Sequence, residues 1–300
     1  MTVVNLEVPV RLQAFALLRA LRVHQWVKNL LVFVPVLLDH RLQLPVLAKA
    51  GLAFAAFCCA ASGGYVLNDL LDLEADRKHS VKRHRPFAAN LLSRSFGVVL
   101  VPLLFAAALL CSLWLSPRFL ALLGLYLVLT TAYSVYLKRV AVLDVILLAG
   151  LYTLRVLAGV AASHVRFSTW LLAFSMFLFL SLAFLKRYAE LRELPAEADG
   201  LARRGYIRGD REWLGSMGGS SGYLSVLVLA LYISSEQVVA LYGTPLLLWL
   251  ICPLLLFWVS RMWMLGHRGL MNQDPIVAAV RDPASYVIGA IVALILYIAA

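Results

Sequence analysis

The chain has 300 residues, 62% of them hydrophobic and only 14% charged, with a mean hydropathy of +0.86 and a formal net charge of +11. Soluble domains are roughly 45–50% apolar and about 25% charged, so a water-soluble globular fold is excluded and an all-α integral membrane protein is expected. In such a protein a basic excess belongs to cytoplasmic loops, which leaves nucleic acid without support as a partner.

A bilayer-spanning helix needs about 20 mostly apolar residues. Nine such helices are predicted, at 25–40, 46–68, 94–115, 119–136, 142–162, 168–186, 218–235, 244–264 and 285–299, the first and last being short. The stretch that leads into the first, MTVVNLEVPVRLQAFALLRALR, lacks the basic, apolar, small-residue order of a cleaved leader, so no cleavage is expected. Nine spans place the termini on opposite sides. With the N-terminus inside, 22 of the 27 lysines and arginines fall on the cytoplasmic side; the other side holds Arg41, Lys49, Arg118 and Arg166, with Arg155 inside the fifth span. That asymmetry predicts a multi-pass protein of the cell (inner or plasma) membrane, with the N-terminus and the charged inserts cytoplasmic, the side on which any active site built from them is expected. Cys58, Cys59, Cys111 and Cys252 lie in apolar runs and read as small buried hydrophobes. His24, His79 and His84 have no zinc-ligand spacing.

Two charged inserts, at about 69–93 and 187–215, interrupt a chain that otherwise reads as a single membrane domain over 1–300. They follow the second and sixth spans, which suggests a duplication of helical units although no repeat is visible. The first insert opens with NDLLDLEADRKHSVKRHRP, acidic and then basic. If the second helix continues through it, Asn68, Asp72 and Asp76 stack at i, i+4 and i+8, with Asp69 flanking them. Oxygen groups in such a row repel one another unless a cation sits among them. A few hard oxygen ligands that leave room for water suit Mg²⁺ shared with a substrate's phosphates. Lys82, Arg83 and Arg85 follow at once and can hold the remaining phosphate oxygens. The competing reading is a solvated helix end in which Asp72 or Asp76 pairs with a nearby base. Desolvation at a membrane boundary is costly, and carboxylates one turn apart there favour the site.

The motif N-D-x-x-D-x-x-x-D after the second of nine helices resembles the UbiA superfamily of intramembrane prenyltransferases. That resemblance covers nearly the whole chain and implies a helical fold around a central cavity, Mg²⁺ and a diphosphate substrate. RVHQWVKNLLVFVPVL, YVLNDLLDLEADRKHSVKRHRPFAA, AYSVYLKRVAVLDVILLAGLYTLRVLAGVAA and FLKRYAELREL are most similar to one branch, the decaprenyl-phosphate phosphoribosyltransferases. Related membrane domains, some fused to a haloacid-dehalogenase-like phosphatase, share the flavour of RGYIRGDREWLGSMGGSSGYLSVLVLALYIS; this chain is expected to leave no room for such a fusion.

The second insert chooses between branches. Aromatic-acceptor relatives carry a second aspartate pair there, whereas this chain reads KRYAELRE from Lys186 to Glu193. Cations suit a substrate with an extra phosphoryl group. The resemblance therefore implies attack of a polyprenyl phosphate on the anomeric carbon of phosphoribosyl pyrophosphate, with release of pyrophosphate. It further implies that Asn68, Asp72 and Asp76, supported by Asp69, ligate Mg²⁺, and that Lys82, Arg83 and Arg85 clamp phosphates. Lys28 matches the branch's basic residue and could bind diphosphate or lipid phosphate; it could equally be a snorkelling interfacial lysine. Lys186, Arg187 and Tyr188 are candidates for the sugar phosphate, with positive-inside anchoring as the other reading of the two cations. Glu190 could contact a second metal or pair with Lys186 on the surface. Tyr133 and Lys138 could line the polar cavity or belong to an interfacial belt.

Asp144 and Arg155 are the conspicuous ionisable residues of the fifth span, about 16 Å apart along the axis and too far to pair. SMGGSSGY, Ser216 to Tyr223, has no P-loop lysine and reads as close helix packing. RGLMNQDPIVAAVRDPASY could cover the cytoplasmic mouth. Two other functions remain open: prenyl transfer from a polyprenyl diphosphate to an aromatic or other small acceptor, and lipid transport. Transport should show polar residues at mid-membrane and broken helices in both halves, whereas polarity here gathers at one face.

Overall fold

In the computed structural model of the chain, residues 10–78, 81–166, 168–194, 199–200, 204–271 and 274–300 are described; His79 and Arg203 lie outside them. The architecture is all-α, that of a membrane protein, and the packing divides it into two compact units. Unit 1 comprises Met1–Tyr136 and Ala158–Val165, and unit 2 comprises Leu137–Leu157 and Arg166–Ala300.

Unit 1 begins with α1 (Val10–Leu21), a 3₁₀ segment (Val23–Phe33) and α2 (Val34–Leu38). It continues with α3 (Leu44–Leu71), α4 (Leu73–Lys78), α5 (Arg94–Ser112) and α6 (Pro117–Val135), and includes the last turns of α7 (Leu143–Ser163). The first predicted span, 25–40, falls largely within the second limb of a bent pair that starts at Ala14 and turns by 44° between Leu21 and Val23. Arg22 causes the break: it sits in the left-handed region at φ 51°, which ends an α-helix. The long helix α3 is the centre of this unit. Its Ala53, Ala56, Ala60, Ala61, Ser62, Gly63 and Gly64 are all buried, so neighbouring backbones approach closely. A Cβ on Gly63 would fall 2.5 Å from the Phe105 ring, and one on Gly64 2.6 Å from the Thr130 methyl. α5 and α6 start on serine caps, Ser93 Oγ accepting from Phe96 N and Ser116 Oγ from Phe119 N, each at 3.1 Å.

Unit 2 holds the rest of α7, then α8 (Thr169–Arg192), α9 (Asp210–Ile233), α10 (Glu236–Val239), α11 (Ile251–His267), α12 (Pro275–Arg281) and α13 (Pro283–Ala299). α8 and α9 pack along their lengths through small residues: Gly218 lies against Trp263 and Phe184, and Gly222 against Val259 and Ser181. Ser181 Oγ donates to Gly218 O at 2.7 Å and accepts from Trp263 Nε1 at 3.0 Å, which pins α8, α9 and α11 together. The glycine-rich run is thus a helix interface. α9 begins at Asp210, before the predicted 218, and α8 runs to Arg192, past the predicted 186. The final span is also a bent pair, turning by 81° at Asp282. Pro283 pushes Asp282 out of the helical region, to ψ 119°, and Asp282 Oδ2 then caps Ser285 N at 3.1 Å.

Among the described residues, seven helices are long and apolar enough to cross a membrane, or up to nine spans if each bent pair counts as one. Many large apolar side chains stay exposed, Leu103 at 61%, Trp114 at 72% and Leu246 at 82% among them. Water would penalise that surface, whereas lipid tails solvate it.

Candidate functional site

The acidic motif lies where α3 gives way to α4. The break at Asp72 is slight, because Asp72 N donates to Asn68 O at 2.9 Å and Asp76 N to Asp72 O at 2.8 Å. The backbone hydrogen bonding therefore keeps the i, i+4, i+8 spacing of Asn68, Asp72 and Asp76. Burial divides them unexpectedly: Asp69 and Asp76 are buried at 2% and 4% exposure, while Asn68 and Asp72 are half-buried.

Two arginines neutralise the buried pair. Arg22 Nη2 donates to Asp69 Oδ1 at 2.6 Å, and Arg85 Nη1 bridges Asp69 Oδ1 at 3.1 Å and Asp76 Oδ2 at 2.7 Å. The Arg22 guanidinium also lies 4.9 Å from the centre of the Tyr65 ring. Arg22 is a residue that sequence reasoning missed. Its clue was its place at the head of RVHQWVKNLLVFVPVL, but its left-handed backbone and its reach to Asp69, 47 residues away, are tertiary facts. Of the three predicted phosphate cations after the motif, Lys82 and Arg83 are exposed, and Arg85, half-buried, reaches the acidic cluster. Lys28 is buried at 6% exposure in the 3₁₀ segment, enclosed by protein instead of lying at a surface. Tyr133 is half-buried near the end of α6. A cleft of about 360 Å³ beside α4 is lined by Leu73, Glu74, Arg77, Phe87, Asn90, Leu92, Ser93 and Arg94, and by none of the motif residues.

The donor set fits Mg²⁺ in kind and register: an amide and two carboxylates one turn apart, all hard oxygen. Among the described residues no three His, Cys, Asp or Glu side chains stand together as a ready metal cage. Arg85 occupies the Asp76 carboxylate.

Unit 2 carries a second ionic cluster. Arg187 on α8 is wholly buried; its Nε donates to Asp144 Oδ2 at 2.6 Å and its Nη1 to Glu190 Oε2 at 2.5 Å. Tyr206 from the following loop donates its hydroxyl to Asp144 Oδ1 at 2.6 Å and accepts from Val142 N at 2.8 Å. Burial, and then the hydrogen bond to Asp144, push the Tyr206 hydroxyl's pKa well above its ordinary value, so it stays a donor. Val142 is β-branched yet sits at φ 67°, a strained conformation that these contacts hold in place. Gly205, at φ 67°, lets the loop run against Arg139, where a Cβ would fall 2.5 Å from Arg139 O.

These contacts supply partners that the sequence left open. Asp144 finds its partner in Arg187. Glu190 pairs with Arg187 instead of Lys186, whose Nζ goes to Asp274 Oδ2 at 3.0 Å. Arg187, a candidate for the sugar phosphate, has two guanidinium nitrogens committed to carboxylates. Tyr188 is buried, with its hydroxyl 3.0 Å from His267 Nδ1. Lys138 is buried at 4% exposure in the turn before α7. Arg155, buried on α7, donates Nη1 to Leu151 O at 2.6 Å and lies 5.5 Å from the centre of the Tyr152 ring.

Comparison with known proteins gives a consistent answer. The chain is 39% identical over 280 residues to the uncharacterized Sinorhizobium fredii protein y4nM, covering 92% of this chain but only 54% of that protein. It is 38% identical over 269 residues to the nodulation protein NoeC of Azorhizobium caulinodans, covering 89% of this chain and 88% of NoeC. A decaprenyl-phosphate phosphoribosyltransferase of Mycolicibacterium smegmatis is 38% identical over 181 residues, 59% of this chain and 57% of that enzyme. Among solved structures, a UbiA homolog from Archaeoglobus fulgidus bound to GPP and Mg²⁺ superposes with a TM-score of 0.72 at 15% identity, covering 94% of this chain and 98% of its own, which speaks for the fold alone. The UbiA prenyltransferase family model matches residues 31–275. With the motif on α3 and α4 inside that match, the chain belongs to the UbiA prenyltransferase family.

Proposed function

We propose that this chain transfers a 5-phosphoribosyl group from phosphoribosyl pyrophosphate to a polyprenyl phosphate, releasing pyrophosphate at the cytoplasmic face of the cell membrane. The observation that carries the reading is the 38% identity to the M. smegmatis phosphoribosyltransferase. The second insert supports it, since Lys186 and Arg187 stand where a prenyl-transferring relative is expected to carry an aspartate pair.

Asn68, Asp72 and Asp76 would hold Mg²⁺, and the ion would stabilise negative charge on the diphosphate as its bond to the anomeric carbon breaks. Lys82, Arg83 and Arg85 supply donors to the same oxygens, Arg85 with a planar fork that matches phosphate. Asp69 orients Arg22 and Arg85 and does not itself touch the reacting atoms. Lys28, buried in the 3₁₀ segment, is assigned to the diphosphate or the lipid phosphate. In the second insert, Lys186 is assigned to the sugar 5-phosphate, with Arg187, Tyr188 and Glu190 keeping α8 in place; Tyr133 and Lys138 contribute polar lining. The attacking phosphate monoester is already anionic, so no strong general base is needed. Its oxygen forms the new bond to the anomeric carbon while pyrophosphate departs with the electron pair of the old one.

The test uses purified protein in detergent with Mg²⁺, labelled phosphoribosyl pyrophosphate and a polyprenyl phosphate, beside a parallel tube with a prenyl diphosphate and an aromatic acceptor. Lipid-soluble label in the first tube alone is the expected result. Product in the second tube alone would replace the reading with prenyl transfer, the activity named by the family.

A further inference from the structure

The Arg85 contacts have a consequence for the order in which ligands enter. We propose that Arg85 is a latch on the acidic motif: it shields Asp76 from a lone divalent cation and yields it to a cation that arrives together with a diphosphate. The inference rests on the proposed metal-diphosphate reading of Asp72 and Asp76.

Three features of unit 1 carry it. The first is competition for one carboxylate, because Arg85 Nη1 lies 2.7 Å from Asp76 Oδ2, where a cation would bind. The second is asymmetry. Asp69 is held by Arg22 at 2.6 Å as well as by Arg85 at 3.1 Å, so rotation of Arg85 uncovers Asp76 while Asp69 stays neutralised. Arg22 is itself fixed by the Tyr65 ring, and the Arg85 side chain keeps 26% exposure, enough to be met from solvent. The third is charge. Two carboxylates and two guanidinium groups cancel in a cluster whose acidic side chains are 2% and 5% exposed. A divalent cation entering alone would bring one positive charge more than Asp72 can offset and would displace a guanidinium from its carboxylates. A diphosphate removes both problems, since its oxygens ligate the cation and accept the released Arg85 fork. Cation and diphosphate then strengthen each other's binding by one shared factor, as thermodynamic linkage requires.

The test is Mn²⁺ binding to the full chain in detergent, read from the electron paramagnetic resonance of free Mn²⁺, with and without inorganic pyrophosphate. Wild type is compared with Arg85→Gln, which removes the competing charge, and Arg85→Lys, which keeps one. Without pyrophosphate, Arg85→Gln should bind Mn²⁺ about tenfold or more tightly than wild type, within the range usual for coupled sites, and Arg85→Lys should stay near wild type. Pyrophosphate should increase wild-type Mn²⁺ retention beyond what the soluble Mn²⁺–pyrophosphate complex accounts for, an arm that holds even if Arg85→Gln does not fold. Equal Mn²⁺ affinity in wild type and Arg85→Gln, or wild-type retention unmoved by pyrophosphate, would overturn the latch and leave the metal site standing. No Mn²⁺ bound by any of the proteins, with or without pyrophosphate, would overturn the metal reading and the latch together.

Discussion

Asp144→Asn probes the buried ionic cluster of unit 2 most directly. Asp144 and Arg187 are both fully buried, and their 2.6 Å contact joins α7 to α8. Removing one partner of a buried ion pair typically costs about 3–5 kcal/mol, because the other charge is left without compensation. Two details lower that figure here. Arg187 keeps its bond to Glu190 at 2.5 Å, and the asparagine oxygen can still accept from Tyr206. A loss of roughly 2–3 kcal/mol is therefore expected, toward the cost of leaving a buried polar group short of a partner. At about 2–4 °C per kcal/mol for a chain somewhat shorter than this one, the melting temperature should fall by roughly 4–12 °C. The assay is thermal unfolding of purified protein in detergent, followed by tryptophan fluorescence and checked by size-exclusion after heating. Glu190→Gln provides the contrast: this side chain is 34% exposed and Arg187 keeps Asp144, so its loss should cost less than that of Asp144. An Asp144→Asn variant melting within about 1 °C of wild type would refute the pairing and the role given to Arg187.

Asp72→Asn should lower phosphoribosyl transfer by about 100-fold or more, the scale seen when a charge-stabilising group is lost, while melting like wild type; radiolabel transfer beside a melting curve checks both. Tyr206→Phe removes two hydrogen bonds and should cost about 1–3 kcal/mol. It should also alter the alkaline limb of stability. Burial and Asp144 raise the folded-state pKa of Tyr206 above its unfolded value, so its contribution is complete below about pH 10 and is lost as pH climbs through the raised value. Melting curves from pH 8 upward should show wild type losing its advantage over Tyr206→Phe above about pH 10, and a constant difference would refute the assignment. Gly159→Ala would place a Cβ 2.1 Å from the backbone oxygen of Val32, which cannot rotate away, and should cost at least about 1–3 kcal/mol by overpacking. Gly124→Ala in α6, where nothing lies within 4 Å, should be neutral or gain up to about 1 kcal/mol; Gly159→Ala should melt below wild type and Gly124→Ala at or above it.

Hydropathy alone marked the membrane-spanning segments, because a bilayer requires about 20 apolar residues whatever they pack against. The register of Asn68, Asp72 and Asp76 was equally legible, since i+4 spacing is local geometry that survives the small break at Asp72. The asparagine-aspartate motif and its flanking segments also pointed to the family, a likeness carried by residues in sequence order. Helix ends were harder. Pro283 was a visible stop signal for the bend at Asp282, but the left-handed turn at Arg22 has no glycine or asparagine to announce it. Partner choice was not legible at all. The sequence offers Asp69 and Asp76 many nearby bases and, with Arg155 too far along the helix, names no partner for Asp144. The folded chain pairs Asp69 with Arg22 across 47 residues and Asp144 with Arg187 across 43. Which charges meet depends on how whole helices pack and which rotamers that packing leaves open, and short-range residue patterns do not encode those distances.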